Sequence, residues 1–409
     1  MKNEENDIDQ LLAEMAQILG DDPKTDQKSA EKKKQKKEEP REDGKKKQKK
    51  GAGKEKKKKR GFWRFLGRTF LVVLETALLL TIALYGVMFV LAKGPSPTAR
   101  DLFVMSVRET SAIGWLANIY FTDEEIAQIE NRSEVEEYVE MDTSLIQFPK
   151  ETEPAEGEAE ENQGPKPDAW GLVDEDGDGI ILEEVKGEGY SGYMMVVLDP
   201  SRVIVGSVPA TYGSSGYTVE EMVHRFDAVA GTNAGGFYDP EGRGNGSIPD
   251  TLVVFDGKTY YAGSGTRTGF VGIDSNHILH VSKKITEAEI IEKDIRYGVC
   301  FGPVLIINGE PCDINTSGVN PRTAIGQRSD GAMLLLVIDG RQVISMGATM
   351  QDLVDIMLDY GAVNACNLDG GSSTLMWYDG GYVNNCASVI GIRPVPTAIL
   401  VLKEGANNG

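Results

Sequence analysis

Histidine and cysteine are scarce: 409 residues contain three histidines and four cysteines. A Ser-His-Asp hydrolase is therefore not expected, because His224, His277 and His280 are few, scattered and read as structural, the last two alternating along an apparent strand. Cys300, Cys312, Cys366 and Cys386 all fall in the second half of the chain. Cys300 with Cys312 and Cys366 with Cys386 are candidate bridges, with other pairings and free buried thiols left open. Bulky apolar residues are missing from residues 149–167, PKETEPAEGEAEENQGPKP, which reads as a solvated linker. No internal repeat of fixed period is present.

Charge is abundant and unevenly placed. The net charge is -20, yet the first 69 residues carry 22 Lys and Arg against 14 Asp and Glu, leaving roughly -28 on the rest. Between the two halves lies FLVVLETALLLTIALYGVMFVLA, residues 70–92, about the length a helix needs to cross a bilayer. The run is too long and too deep in the chain for a cleaved signal peptide. Three lysine clusters precede it and almost none follow, which predicts a single-pass cell-membrane protein, N-terminus cytoplasmic and C-terminal domain extracellular. The lysines then meet anionic lipids, and no nucleic-acid partner is expected because no folded reader surrounds them.

The chain divides into a basic, largely disordered tail (1–69), the membrane helix (70–92), a helical juxtamembrane segment (93–148), the acidic linker (149–170) and a folded domain (171–409). Within the tail, Ile8, Leu11, Leu12, Met15, Ile18 and Leu19 share one helical face, either for a cytoplasmic protein partner or as a short helix that frays. Asp174, Asp176, Asp178 and Gly179 have the spacing of the first half of a calcium loop. Val185 stands where the bidentate acid belongs, so calcium competes with a plain acidic turn.

Beyond Ile180 the pattern turns to short strands, among them YMMVVLDP, RVIVGSV, LVVFDGKTYYAG, MLLLVIDG and TAILVLK, several ending in Asp-Gly or Asn-Gly. TVEEMVHRFDAVA and TMQDLVDIMLDYG read as helices, the second capped by Thr349 and stopped by Gly361. The fold class expected is α+β, a mixed, mainly antiparallel sheet with packed helices.

Three polar stretches sit at the ends of these elements: AGTNAGGFYD, PRTAIGQRSDGAMLLLVIDGR and VNACNLDGGSSTLMW. In that order they resemble the blocks of the phosphodiester glycosidase family, with the likeness covering residues 190–403. The resemblance implies hydrolysis of the bond between a sugar's anomeric carbon and a phosphate esterified to a second group, such as N-acetylglucosamine-1-phosphate linked to a glycan. It also implies a role in exopolysaccharide or envelope glycopolymer metabolism, and it needs no cofactor.

Residue chemistry can be assigned against that reaction. Arg322 and, second, Arg393 offer planar donor forks for a phosphate. Asp369 and Asp339 are the candidate catalytic carboxylates, as glycosidases commonly use two, and Asp239 is a weaker candidate. Asn233 and Asn367 suit sugar hydroxyls; Gly235, Gly236, Gly370 and Gly371 allow close backbone approach; Ser372, Ser373 and Thr374 supply hydroxyls. Ser372 replaces a glycine frequent in the family, which predicts a local difference if that position needs positive φ. The alternative function is a phosphoglycan-binding envelope protein that does not turn its ligand over.

Overall fold

The computed structural model describes residues 52–110, 113–131, 139–148, 165–239, 244–261, 269–314, 317–388 and 391–406. The expected tail helix at 8–19 and most of the acidic linker lie outside the described residues. The chain divides into two units, Met1–Leu78 and Leu79–Gly409.

The described part of the first unit belongs to a helix, Ala52–Lys93, of which Phe65–Lys93 is long and apolar enough to cross a membrane. Leu71, Val72, Leu74 and Leu78 of this helix are all exposed. A helix apolar on every side and uncovered by protein suits lipid rather than water.

The second unit starts with the helix end and a small helical cluster. Helix Pro97–Arg108 is capped by the Ser96 hydroxyl and begins on proline, whose missing N–H costs nothing there. A 3-10 turn, Gly114–Ile119, and helix Asp123–Asn131 follow, and Val104, Val107, Ala117, Tyr120, Phe121, Ile126 and Ile129 close a core against Ala92.

Three sheets make up the rest, and every pairing between their strands is antiparallel. The first has the order Ile180–Gly187, Tyr190–Val197, Met333–Ile338, Arg322–Arg328, Ala362–Leu368, Val304–Ile307, Glu310–Pro311. The second runs Gly381–Tyr382, Met376–Tyr378, Ala228–Asn233, Thr397–Leu402, Val203–Ser207. The third runs Lys258–Tyr261, Val253–Phe255, Ile295–Cys300, Phe270–Asp274, Leu279–Ser282. The fold is α+β, as expected.

One face of the first sheet packs Met195, Ile325 and Leu335 against Val205 and Ile399 of the second and Val271 and Val299 of the third. Its other face, with Met194, Leu334 and Leu336, lies under helix Met350–Asp359 through Leu353 and Met357. Covered on both sides, strand Met333–Ile338 is buried throughout, which is why its sequence shows no alternation. The Thr349 cap forms as predicted, in a reciprocal box with Asp352.

Three expectations change. Helix Val219–Arg225 stops before Ala230, because Asp227 turns the chain at φ 51 and Ala228–Asn233 then pairs as a strand. The folded body also begins before residue 171: Ile146 is buried, the Gln147 N–H donates to the Ser329 carbonyl at 2.7 Å, and Asp168 binds Arg328. Finally, all four cysteines are free. Cys366 lies in the central core with Cys312 packed against it, Cys300 packs beside Phe270 and Cys386 beside the cluster around Trp377.

Two buried charges test this packing. Arg328, fully buried, pairs with Asp168 at 2.7 Å and Asp330 at 2.5 Å and stacks 3.9 Å from the Trp170 ring. Arg328→Ala leaves both carboxylates unpaired and should cost about 3–5 kcal/mol in denaturant unfolding; an unchanged midpoint would contradict the pairing. Burial pushes the Asp274 carboxyl up, but hydrogen bonds from His280 (2.9 Å) and the N–H groups of Ile278 and Asn276 outweigh it and hold the pKa below its usual value. A lowered folded pKa contributes stability above the unfolded value and loses it as pH falls through the folded one. Asp274→Asn should therefore destabilise the protein at pH 7, and the difference from wild type should shrink in unfolding measured below pH 3.8.

Candidate active site

Register brings two of the three sequence blocks to one end of the first sheet. Thr323 pairs with Leu368 and Arg322 with Ile338, so Asp369, Arg322 and the Asp339-Gly340-Arg341 loop leave the sheet together. The second sheet adds the end of Ala228–Asn233. The Asp369 N–H donates to the Ala234 carbonyl at 2.9 Å, and Asn233 Nδ2 donates to the Asp369 carbonyl at 2.5 Å. Asn233 Oδ1 accepts from Thr323 Oγ1 at 2.8 Å and from the Leu375 N–H at 3.2 Å. Buried Asn233 thus fixes the turn from both sides.

The turn itself needs its glycines. A Cβ on Gly370 would stand 2.7 Å from the Pro321 carbonyl oxygen, and Gly371 has φ +63 with its N–H on the same oxygen at 2.8 Å. Ser372 does not share that conformation; it lies in the 3-10 turn Gly371–Ser373 with ordinary φ, so serine there imposes no strain. Its hydroxyl accepts from Arg393 Nη1 at 2.8 Å. Arg393 also forks onto Asp239 at 2.6 and 2.9 Å, so these two residues buttress the turn together.

Positive charge gathers in front of the turn. Arg322 is 5% exposed; its Nη2 donates to Glu109 Oε2 at 2.7 Å and its Nε to the Ala348 carbonyl at 3.1 Å. The Glu109 carboxylate also accepts from the Gly318 N–H and from Asn320 Nδ2, both at 3.0 Å. A second arginine, Arg341, donates to Thr110 Oγ1 at 2.9 Å, and its Nη2 would lie 3.2 Å from a Cβ on Gly371. Solvent reaches the Arg341 side chain. Its pKa is nevertheless lowered, by desolvation of the guanidinium and then repulsion from Arg322, against the pull of Glu109 and Asp369. The two guanidiniums and the carboxylates of Glu109 and Asp369 thus form one charged cluster beside the turn.

Asp339 is 4% exposed and saturated: Asn384 Nδ2 and the Asn385 N–H donate to Oδ1 at 3.0 Å, and Asn385 Nδ2 to Oδ2 at 2.9 Å. Other expected residues turn elsewhere. Asn367 is buried with its Nδ2 on the Gly302 carbonyl at 2.7 Å; the Gly235 N–H donates to Thr397 Oγ1, and the Gly236 N–H to the Cys300 carbonyl. Ser373 and Thr374 are buried behind the turn. The Asp174, Asp176 and Asp178 oxygens lie within 4.8 Å of one another; Asp174 accepts from the N–H groups of Gly177 and Gly179, Asp176 from that of Asp178, and Asp178 from that of Ile180. Three residues were missed by sequence reasoning: Glu109, Asn320 and Arg341. Arg341 closes the Arg322 block and Asn320 directly precedes it, so both could have been drawn from it; Glu109 had no local signal.

Fold and site define an α+β domain that presents an acid on a glycine turn to paired arginines. Residues 226–402 match the model of the phosphodiester glycosidase family. The chain is 33% identical over 186 residues to an SPbeta prophage-derived protein of Bacillus subtilis (strain 168), covering 42% of this chain and 28% of that protein. Among solved structures, it is similar to the zebrafish N-acetylglucosamine-1-phosphodiester alpha-N-acetylglucosaminidase catalytic domain auto-inhibited by pro-peptide, at TM-score 0.46 and 20% identity, covering 59% of this chain and 87% of that one. An exported protein from Burkholderia pseudomallei gives TM-score 0.40 at 17% identity, covering 52% and 74%.

Asn233→Ala removes the clamp and leaves the Thr323 hydroxyl and the Leu375 N–H without their acceptor. Unfolding should show a loss of about 1–3 kcal/mol, and Asn233→Asp, which keeps the acceptor but sets a buried carboxylate against the Asp369 carbonyl, should lose at least as much.

Proposed function

We propose that the domain hydrolyses a sugar-1-phosphodiester, such as N-acetylglucosamine-1-phosphate linked to a second group, in exopolysaccharide or envelope glycopolymer metabolism. The observation that carries this reading is Arg341, laid across Gly371 within the field of Asp369 and beside Arg322. A diester keeps one negative charge, and two guanidiniums can neutralise it while binding two of its oxygens. That Arg322, Asn320 and the Gly318 N–H already hold the Glu109 carboxylate supports an anion seat at this place.

An alkyl phosphate departs without much protonation, so the work left to the protein is at the anomeric carbon. Asp369 is the group for it, as nucleophile or as base toward water, because its main chain is pinned by Ala234 and Asn233 and its carboxylate lies beside Arg341. Asp339, held by three donors, orients the Asn384–Asn385 loop and the base of Arg341 rather than reaching the sugar. Arg393 and Ser372 keep the turn in place. The lysine clusters ahead of the apolar helix set the N-terminus inside and this domain outside.

The test is the full chain in nanodiscs with the methyl diester of N-acetylglucosamine-1-phosphate, following release of free sugar. Asp369→Asn should lower kcat roughly 100-fold or more, and Arg341→Ala should lower kcat/KM about 100- to 1,000-fold. Full activity in both variants would remove the site from this turn. Binding without turnover by the wild type would favour the phosphoglycan-binding alternative.

A further inference from the structure

A turn tipped with apolar residues stands immediately beside Arg341. The Gln342 N–H donates to the Ser345 carbonyl at 2.9 Å and the Arg341 N–H to the Met346 carbonyl at 3.0 Å, so residues 341–346 form a closed loop. Its tip is bare: Val343 is 102% exposed, Ile344 80% and Met346 61%. Three such side chains in water are costly to no evident purpose in a domain whose other strands bury their Val, Ile and Leu.

The juxtamembrane segment carries a second bare apolar group, Ile113, Trp115 and Ile119. The two groups meet at one contact. Arg341, two residues before Val343, donates to Thr110, whose carbonyl accepts from the Ile113 N–H at 3.0 Å. The residue after Ile119 packs on the apolar helix: the Tyr120 ring lies 5.5 Å from that of Tyr85 and 6.4 Å from that of Phe89, and the Tyr120 hydroxyl donates to the Tyr85 carbonyl at 3.2 Å. Tyr85 and Phe89 belong to the run read as membrane-spanning, and Lys93 at its end lies 4.3 Å over the Phe121 ring. A Trp and a Tyr beside the last turns of a spanning helix are what the bilayer boundary selects.

We propose that this face rests on the bilayer, with Val343, Ile344 and Trp115 in the headgroup region, and that the substrate is a membrane amphiphile: a sugar-1-phosphate whose second ester is to a lipid alcohol. The substrate half rests on the hydrolase reading above; the membrane half does not. Continuity with the spanning helix favours lipid over a protein partner as the occupant. Because Arg341 forms the base of the inserted turn, a phosphate held there lies just above the headgroups, where a lipid diester presents its own. Hydrolysis breaks the anomeric C–O bond; water supplies hydroxyl to the sugar and its proton goes to solvent, leaving the lipid phosphate in the membrane.

The experiment has two arms, both with the full chain in nanodiscs. In the first, Val343→Trp is compared in ordinary and brominated phosphatidylcholine; the added fluorescence should be quenched by bromine on the acyl chains. Equal emission in both lipids overturns the membrane contact, as it would if a protein partner covered the patch in cells. In the second, the hexadecyl and methyl diesters of the same sugar phosphate are compared. Wild type should show at least a tenfold higher kcat/KM for the hexadecyl ester, and Val343→Asp with Ile344→Asp should abolish that preference while leaving the methyl ester rate unchanged. A preference that is absent, or that survives the double substitution, overturns the lipid substrate. If neither diester is cleaved while quenching is seen, the hydrolase reading and the lipid substrate fall and the membrane contact stands.

Discussion

Asn233 carries the constraint on which the rest of the site depends. Two antiparallel sheets end at the same place, and one carboxamide ties the Asp369 main chain of the first to the last residue of a strand in the second, while its oxygen holds Thr323. Buried polar groups of this kind must be satisfied, and satisfying them fixes a single arrangement. Loops that leave sheets so tied inherit that definition, so Asp369 and the glycine turn are placed by the scaffold. The Arg393–Asp239 fork and the Ser372 hydroxyl repeat the principle from the other side.

Apolar stretches made their elements legible. YMMVV, MLLLVI and TAILVL all form strands, and Thr349 with Asp352 caps the helix predicted there. Strands Ala228–Asn233 and Ala362–Leu368 were harder to see, because AVAGTN and AVNACNL mix small and polar residues. Much of their polarity is met by tertiary partners: Asn233 has Thr323 and Asp369, and the Asn367 Nδ2 has the Gly302 carbonyl. Propensity cannot register a partner that is remote in sequence.

The same reason governs the site residues. Asp369, Gly370 and Gly371 were readable because a turn needing left-handed backbone and close approach leaves glycine in the sequence. Glu109 was not, since nothing around it distinguishes one carboxylate at the end of a helix from another. Its meaning comes from a separation of 213 residues, across which it meets Arg322. The juxtamembrane segment is thereby part of the domain it precedes: Ser106 accepts the Val319 N–H, and its backbone passes so close to Gly318 that a Cβ there would stand 2.4 Å away.

That integration alters what the acidic stretch between residues 148 and 165 can do. Both of its flanks are fastened to one body, Gln147 by Ser329 and Asp168 by Arg328. With both ends fixed on the same body, the length of the stretch cannot work as a tether that sets how far the domain reaches from the apolar helix. Lengthening it would change only a slowly growing closure entropy. The reach of the domain is set instead by the short path from Lys93 to Glu109, which fixes the Asp369 turn relative to the end of the apolar helix.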